Sequence, residues 1–107
     1  MFRGTTPSLV FKINSSLDLS TLAQVLVTLE NKYTEITFDK DDVTIDTENN
    51  TIKVNMSQED TLSFDMGGKL RDKVVAQIRF LDNKGMAYAS NEVEIDLKRI
   101  LKEGVIE

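Results

Sequence analysis

The sequence has no cysteine, no histidine and no tryptophan. Without cysteine there are no disulfides, no thiolate metal ligands and no cysteine nucleophile. Without histidine, the commonest general base and the commonest transition-metal ligand are both missing. Proline occurs once, and aromatic residues are 7% of the 107 positions. No run approaches the roughly 18 apolar residues of a membrane-spanning helix. Positive charge is also short: 13 Lys and Arg stand against 18 Asp and Glu, a formal net charge of −5. The basic residues are scattered singly among acids. With no cationic face to displace phosphate counterions, neither nucleic acid nor an anionic membrane surface is expected as a partner. The start, Met1 to Pro7, lacks the apolar core of a signal peptide, so the chain reads as a whole cytosolic gene product. The Asn-x-Ser/Thr triplets at Asn14 and Asn55 are then chance matches rather than glycosylation sites.

What remains is an ordinary globular composition, 40% hydrophobic and 29% charged, at the length of one domain. Period two dominates, and alternate side chains on a strand face opposite ways. Leu9, Phe11 and Ile13 alternate with Val10, Lys12 and Asn14. From Thr21 to Glu30, Ala23, Val25, Val27 and Leu29 make one face and Leu22 and Leu26 the other, the two-sided pattern of a central strand. Ile36 and Phe38, then Val43 and Ile45, mark two short strands, and Glu48-Asn49-Asn50 marks a turn. Ile52, Val54 and Met56 form a fifth strand; Val74, Ala76, Ile78 and Phe80 the inner face of a sixth. Asp82 to Gly85 is a hairpin loop. The seventh strand spans Met86 to Lys98, with Val93, Ile95 and Leu97 inward and a bulge at Ala89-Ser90-Asn91, where the alternation changes phase. Between strands five and six, Ser57 followed by Glu59 and Asp60 predicts one capped helical turn, with Leu62 and Phe64 packing down. Seven short strands with a helical crossover predict an all-β, immunoglobulin-like two-sheet sandwich, with a small β-barrel as the alternative. The expected organisation is a single domain over residues 1–107, with 1–7 a flexible N-terminal arm and 99–107 a C-terminal tail holding a helical turn around Ile100 and Leu101.

Few residues offer chemistry. Asp39, Asp41, Asp42 and Asp46, with Glu48, form an acidic cluster that could offer oxygen ligands to calcium. The spacing is not that of an EF-hand loop, and a solvated acidic loop is the plainer reading. As a glycosidase pair the same residues would need a cleft and stacking rings. Gly67-Gly68-Lys69 lacks the Gly-x-x-x-x-Gly-Lys-Ser/Thr pattern of a phosphate loop and reads as a hinge. Nothing marks Ser63, Ser90 or Lys69 as a nucleophile pair. Tyr33 and Tyr88 read as half-buried strand residues, and Arg79 as the partner of a cross-strand acid. No cofactor is expected, and no enzyme. The segment Arg3, Gly4, Thr5, Thr6, Pro7 is either a frayed end or an arm that adds to a neighbouring subunit's sheet edge.

The motifs Arg3-Gly4-Thr5-Thr6-Pro7, Ser57-Gln58-Glu59-Asp60-Thr61-Leu62-Ser63-Phe64, Gln77-Ile78-Arg79 and Ala87-Tyr88-Ala89-Ser90-Asn91-Glu92-Val93 occur in that order. This pattern resembles a group of short, mostly uncharacterised proteins of tailed phages and prophages of Gram-positive bacteria, from the Arg-Gly-Thr-Thr-Pro start to the Leu-Lys-Glu-Gly-Val-Ile end. The resemblance implies a virion or assembly protein, near the tail or baseplate, working through contacts with itself or with other phage structural proteins. It implies residence in the host cytoplasm during assembly and then in the particle. A stand-alone module for carbohydrate or cell-surface binding is the competing expectation, and the scarcity of aromatic residues counts against it.

Overall fold

In the computed structural model, which describes residues 1–13 and 17–107, eight strands make two antiparallel sheets. The short sheet contains β1 (Ser8–Lys12), β5 (Thr51–Asn55) and β4 (Val43–Asp46), in that order. The long sheet runs β3 (Glu35–Phe38), β2 (Leu22–Glu30), β6 (Arg71–Asp82). On the far edge of β6 lie both β7 (Ala87–Ala89) and β8 (Val93–Lys98). Strands one, four and five on one sheet, facing three, two, six and the last on the other, is the immunoglobulin-like order. The sheets stay separate with open edges, which sets the barrel alternative aside.

β7 and β8 are the expected seventh strand, broken where the sequence changes phase. Ala76 faces Val93 while Arg79 faces Ala89, so the register slips by one residue between the two halves. Ser90 holds the bulge: its N–H donates to the Ile78 carbonyl at 2.8 Å and its Oγ accepts the Ile78 N–H at 2.9 Å. A second bulge lies between Leu22 and Gln24 in β2. It reverses the expected assignment there: Leu22 is buried and Ala23 is exposed. Beyond it Val25, Val27 and Leu29 keep the predicted phase and are buried.

The core lies between the sheets. Val25, Val27, Leu29, Val74, Ala76, Ile78 and Phe80 of the long sheet pack with Ile52 and Val54 of the short one. Burying each of these side chains larger than Ala76 contributes about 1.5–3 kcal/mol. The crossover from β5 to β6 carries α1 (Gln58–Leu62). Ser57 Oγ accepts the Asp60 N–H at 3.0 Å, and the Asp60 carboxylate accepts the Ser57 N–H at 2.9 Å. This reciprocal cap satisfies two otherwise orphaned donors. Phe64 and Thr61 are fully buried beneath the turn, and Leu62 is half-buried. Asn50, in the turn between β4 and β5, takes φ 56° and is the non-glycine residue with positive φ among the described residues.

Two expectations about the ends are corrected. The N-terminal segment is not a free arm. Phe2 bridges Lys98 in parallel, the Arg3 N–H donates to the Lys98 carbonyl at 3.0 Å, and the Lys98 N–H donates to the Met1 carbonyl at 2.8 Å. The chain starts on the edge of β8 and crosses to the short sheet at Pro7. The tail 99–107 holds no helical turn. It runs through bends, with Ile100 packed beside Gly4 and Leu101 in water. Asn14, read as the last outward residue of the first strand, lies outside the described residues.

Candidate functional site

The acidic cluster is committed to its own backbone. Asp39 caps a 3-10 turn at Lys40–Asp42: its Oδ1 accepts the Asp41 N–H at 3.0 Å, and the Asp42 carboxylate accepts the Asp39 N–H at 3.2 Å. Asp46 lies at the other end of β4. Its carboxylate accepts from the Glu48 and Asn49 N–H groups, each at 3.1 Å, and from Asn49 Nδ2 at 2.8 Å. Those bonds, the Asn49 side chain first, hold the Asp46 carboxyl below the usual carboxylate range. β4 separates Asp42 from Asp46 by about 13 Å at ~3.3 Å per residue. Among the described residues no three acidic side chains gather as a metal site. In this structure Asp39 and Asp42 cap the 3-10 turn, Asp41 lies within it, and Asp46 holds the turn that follows β4.

The other candidates also resolve into structural roles. Arg3 is clamped at 2.6 Å to Glu103 and at 2.7 Å to the Leu62 carbonyl, which pins the N-terminus to α1 and the tail. Gly4 takes φ 74°, and a Cβ there would stand 2.9 Å from Ile100 Cδ1. The Thr5 carbonyl accepts from Thr61 Oγ1 at 2.9 Å. The Pro7 carbonyl accepts the Met56 N–H at 3.0 Å, which starts the β1–β5 ladder. Ser63 Oγ donates to the Asp60 carbonyl, and Lys69 sits 3.9 Å from Asp72. Tyr33 is in the β2–β3 turn, not a strand, and is more than half exposed. Arg79 stands between Leu26 and Ala89 across the strands, not opposite an acid, and makes no ion pair among the described residues.

What sequence reasoning missed is a groove of about 910 Å³ between the edge of β1 and the bulged edge of the long sheet. Val10, Phe11 and Lys12 form one rim; Tyr88, Ala89 and Val93 form the other; Ile78 and Phe80 lie along the floor. The rims present backbone as well as side chains. The Ile13 N–H donates to the Asn50 carbonyl and the Met56 N–H to that of Pro7, so odd-numbered β1 residues face β5. By the alternation of an antiparallel ladder, the N–H and C=O groups of Val10 and Lys12 point into the open edge. The same reasoning applies across the groove. Asp82 bonds to Met86 and Ser90 to Ile78, which leaves the backbone groups of Ala87 and Ala89 pointing outward.

The inner face of this edge is apolar and uncovered. Tyr88 lies opposite Phe80, and Val93 opposite Ala76, so both share the core-facing side of the long sheet. Yet they are 43% and 48% exposed. The cause is a mismatch of widths: the short sheet has three rows of strand and the long sheet four. The inward reading of Val93 was right in direction and wrong in burial, because among the described residues no strand lies over it. A comparison with known proteins adds nothing to this geometry: no family model, no curated protein and no solved structure matches the chain.

Proposed function

We propose that this protein is a non-catalytic structural or assembly component of a tailed phage or prophage, acting through protein–protein contacts. The observation that carries the contact reading is the groove between β1 and β7, where two open strand edges flank uncovered apolar side chains. Open edges and exposed apolar surface are the physical means by which sheets recruit other chains. The phage setting rests on the motif resemblance, from Arg3-Gly4-Thr5-Thr6-Pro7 to the closing hairpin and tail. The partners are then other phage structural proteins or a second copy. The setting is the host cytoplasm during assembly and the virion afterwards. Among the described residues no helix is long and apolar enough to cross a membrane.

A carbohydrate-binding role has weaker support. Sugar sites stack on exposed rings, and the groove offers Tyr88 alone, since Phe80 is buried and Phe11 is packed against the core. Quantitative mass spectrometry of particles purified after prophage induction tests the proposal. The expected result is this chain at a fixed ratio to a tail or capsid protein. Particles that form without it would remove the virion role.

A further inference from the structure

We propose that the groove takes one extended strand from a second copy of this chain, and that residues 99–107 are the segment donated. The inference rests on the assembly reading above and names the partner.

The groove is short of one strand. Three rows cover four, and the row left over carries Tyr88 and Val93 on its inner face. A strand bonded to the free backbone of Val10 and Lys12 would make the short sheet four rows wide and cover both side chains. The overhang of β7 and β8 also selects the kind of occupant. Pairing β1 of one copy with β1 of another about a two-fold axis would bring two overhanging edges into the same space. That two-fold β1–β1 pairing is therefore disfavoured, whereas a single extended segment brings no overhang with it.

Residues 99–107 match that requirement. None of them pairs in a sheet. Leu101 is fully exposed and Ile106 is 80% exposed, with Val105 beside it half in water. The segment is held by few bonds: Arg99 N–H to the Leu70 carbonyl, Arg3 to Glu103, and the Gln58 side chain to the Ile106 backbone. Alternation gives it two faces. With Val105 placed opposite Val10, Gly104 and Ile106 turn inward over Tyr88 and Val93. Glu103 and Glu107 flank Val105 by two residues on either side. Whichever way the strand runs, a glutamate falls opposite Lys12, a favourable cross-strand pair.

The donor assigned is a neighbour, because each tail is held at the Lys98 end of its own body by Arg99 to Leu70, Glu103 to Arg3 and Ile106 to Gln58. β8 leads away from the groove, from Val93 at its rim to Lys98 at the far end. Asp72, opposite Leu97, and Phe80, opposite Tyr88, are about 26 Å apart along β6 at ~3.3 Å per residue. The groove's Val93 and the start of the tail at Lys98 are five residues apart along β8, about 17 Å at ~3.3 Å per residue. Donation to a neighbour is head-to-tail and generates a ring or a filament.

The test uses two full-length variants and their mixture in analytical ultracentrifugation. Val10→Pro removes an N–H that faces the open edge, so no ladder bond is lost and the edge strand keeps its fold. Ile106→Asp spoils the donated segment. Both should unfold at the wild-type temperature. The expected result is concentration-dependent assembly of the wild type beyond a dimer, monomers for each variant alone, and a 1:1 complex on mixing. The mixture pairs the intact groove of Ile106→Asp with the intact tail of Val10→Pro. A wild type that stays monomeric at its highest soluble concentration overturns the proposal. So does a mixture that stays monomeric, or assembly indifferent to Val10→Pro. Incorporation into particles is read separately by mass spectrometry, so failure of strand donation and failure of the assembly reading are distinguishable.

Discussion

Along the β7–β8 side of the sandwich, one end is sealed and the other is open, although the same face of the same sheet runs through both. At the sealed end Leu97 is 0% exposed. Met1 to Arg3 lie on the β8 edge, and α1 is tied to the same segment through Thr61 and Thr5. At the open end Val93 points the same way and is half exposed. Both are apolar, in strand, and in phase. Cover, rather than residue type or periodicity, separates a core position from a contact surface.

The largest expected effect breaks this contrast directly. Leu97→Ala should destabilise by about 2–5 kcal/mol, since it opens a cavity in a closed region. Val93→Ala should stay within about 0.5 kcal/mol, because water already reaches the site. Denaturant unfolding of the two variants checks the pair. Equal losses would mean that the open end is covered in solution, and a loss for Val93→Ala that grows with protein concentration would mean that a second copy covers it.

Next in size is the seal itself. At Gly4 an L-residue at positive φ costs about 1–2 kcal/mol, and its Cβ would also press on Ile100 Cδ1 at 2.9 Å. Gly4→Ala should therefore destabilise by about that amount. Hydrogen exchange should rise at Arg3 and Lys98, whose N–H groups bond across the seal, and not at Ser90 in the bulge. Smaller again is the helical cap. Ser57→Ala should cost about 1 kcal/mol by thermal unfolding, since it removes the acceptor of the Asp60 N–H.

The sealed end shows why some of the molecule was legible in the sequence and some was not. Val74, Ala76, Ile78 and Phe80 announce β6 through local period two, and Ser57 with Asp60 announces α1 through local capping. Both signals span a few residues. The docking of Arg3 requires Lys98, Leu62 and Glu103, partners 59 to 100 positions away, and no local pattern encodes them. The phase error at Leu22 and Ala23 has a local cause, a one-residue bulge that simple alternation ignores. The role of the acidic loop was partly legible: a solvated loop was the plainer reading, and the capping spacing of Asp39 and Asp42 adds that it holds a turn. The groove depends on two sheets of unequal width, a property of strand order that no single segment carries.

The smallest expected effect separates the two ends by electrostatics. Asp96, near the sealed end, has its pKa lowered chiefly by the hydrogen bond and charge of Lys73, 2.5 Å away. Asp18, at the mouth of the groove, has its pKa lowered by the Ser20 hydroxyl and N–H. Both carboxylates favour the folded state above their unfolded value near 3.8, and that contribution is lost as pH falls through the lower folded value. Lys73, whose pKa is raised by the same pair, contributes below 10.5 and loses its share as pH rises through its higher folded value. Salt distinguishes the causes. At about 1 M salt the Debye length falls to roughly 3 Å, so the exposed ion pair is weakened while short hydrogen bonds to neutral donors are not. In an NMR pH titration the Asp96 midpoint should climb toward the ordinary value with added salt, and Lys73→Met should reproduce that climb at low salt. The Asp18 midpoint should hold in both cases. If Asp96 ignores salt as Asp18 does, the ion pair is not formed in solution, and the sealed end is held by its backbone bonds and by Leu97.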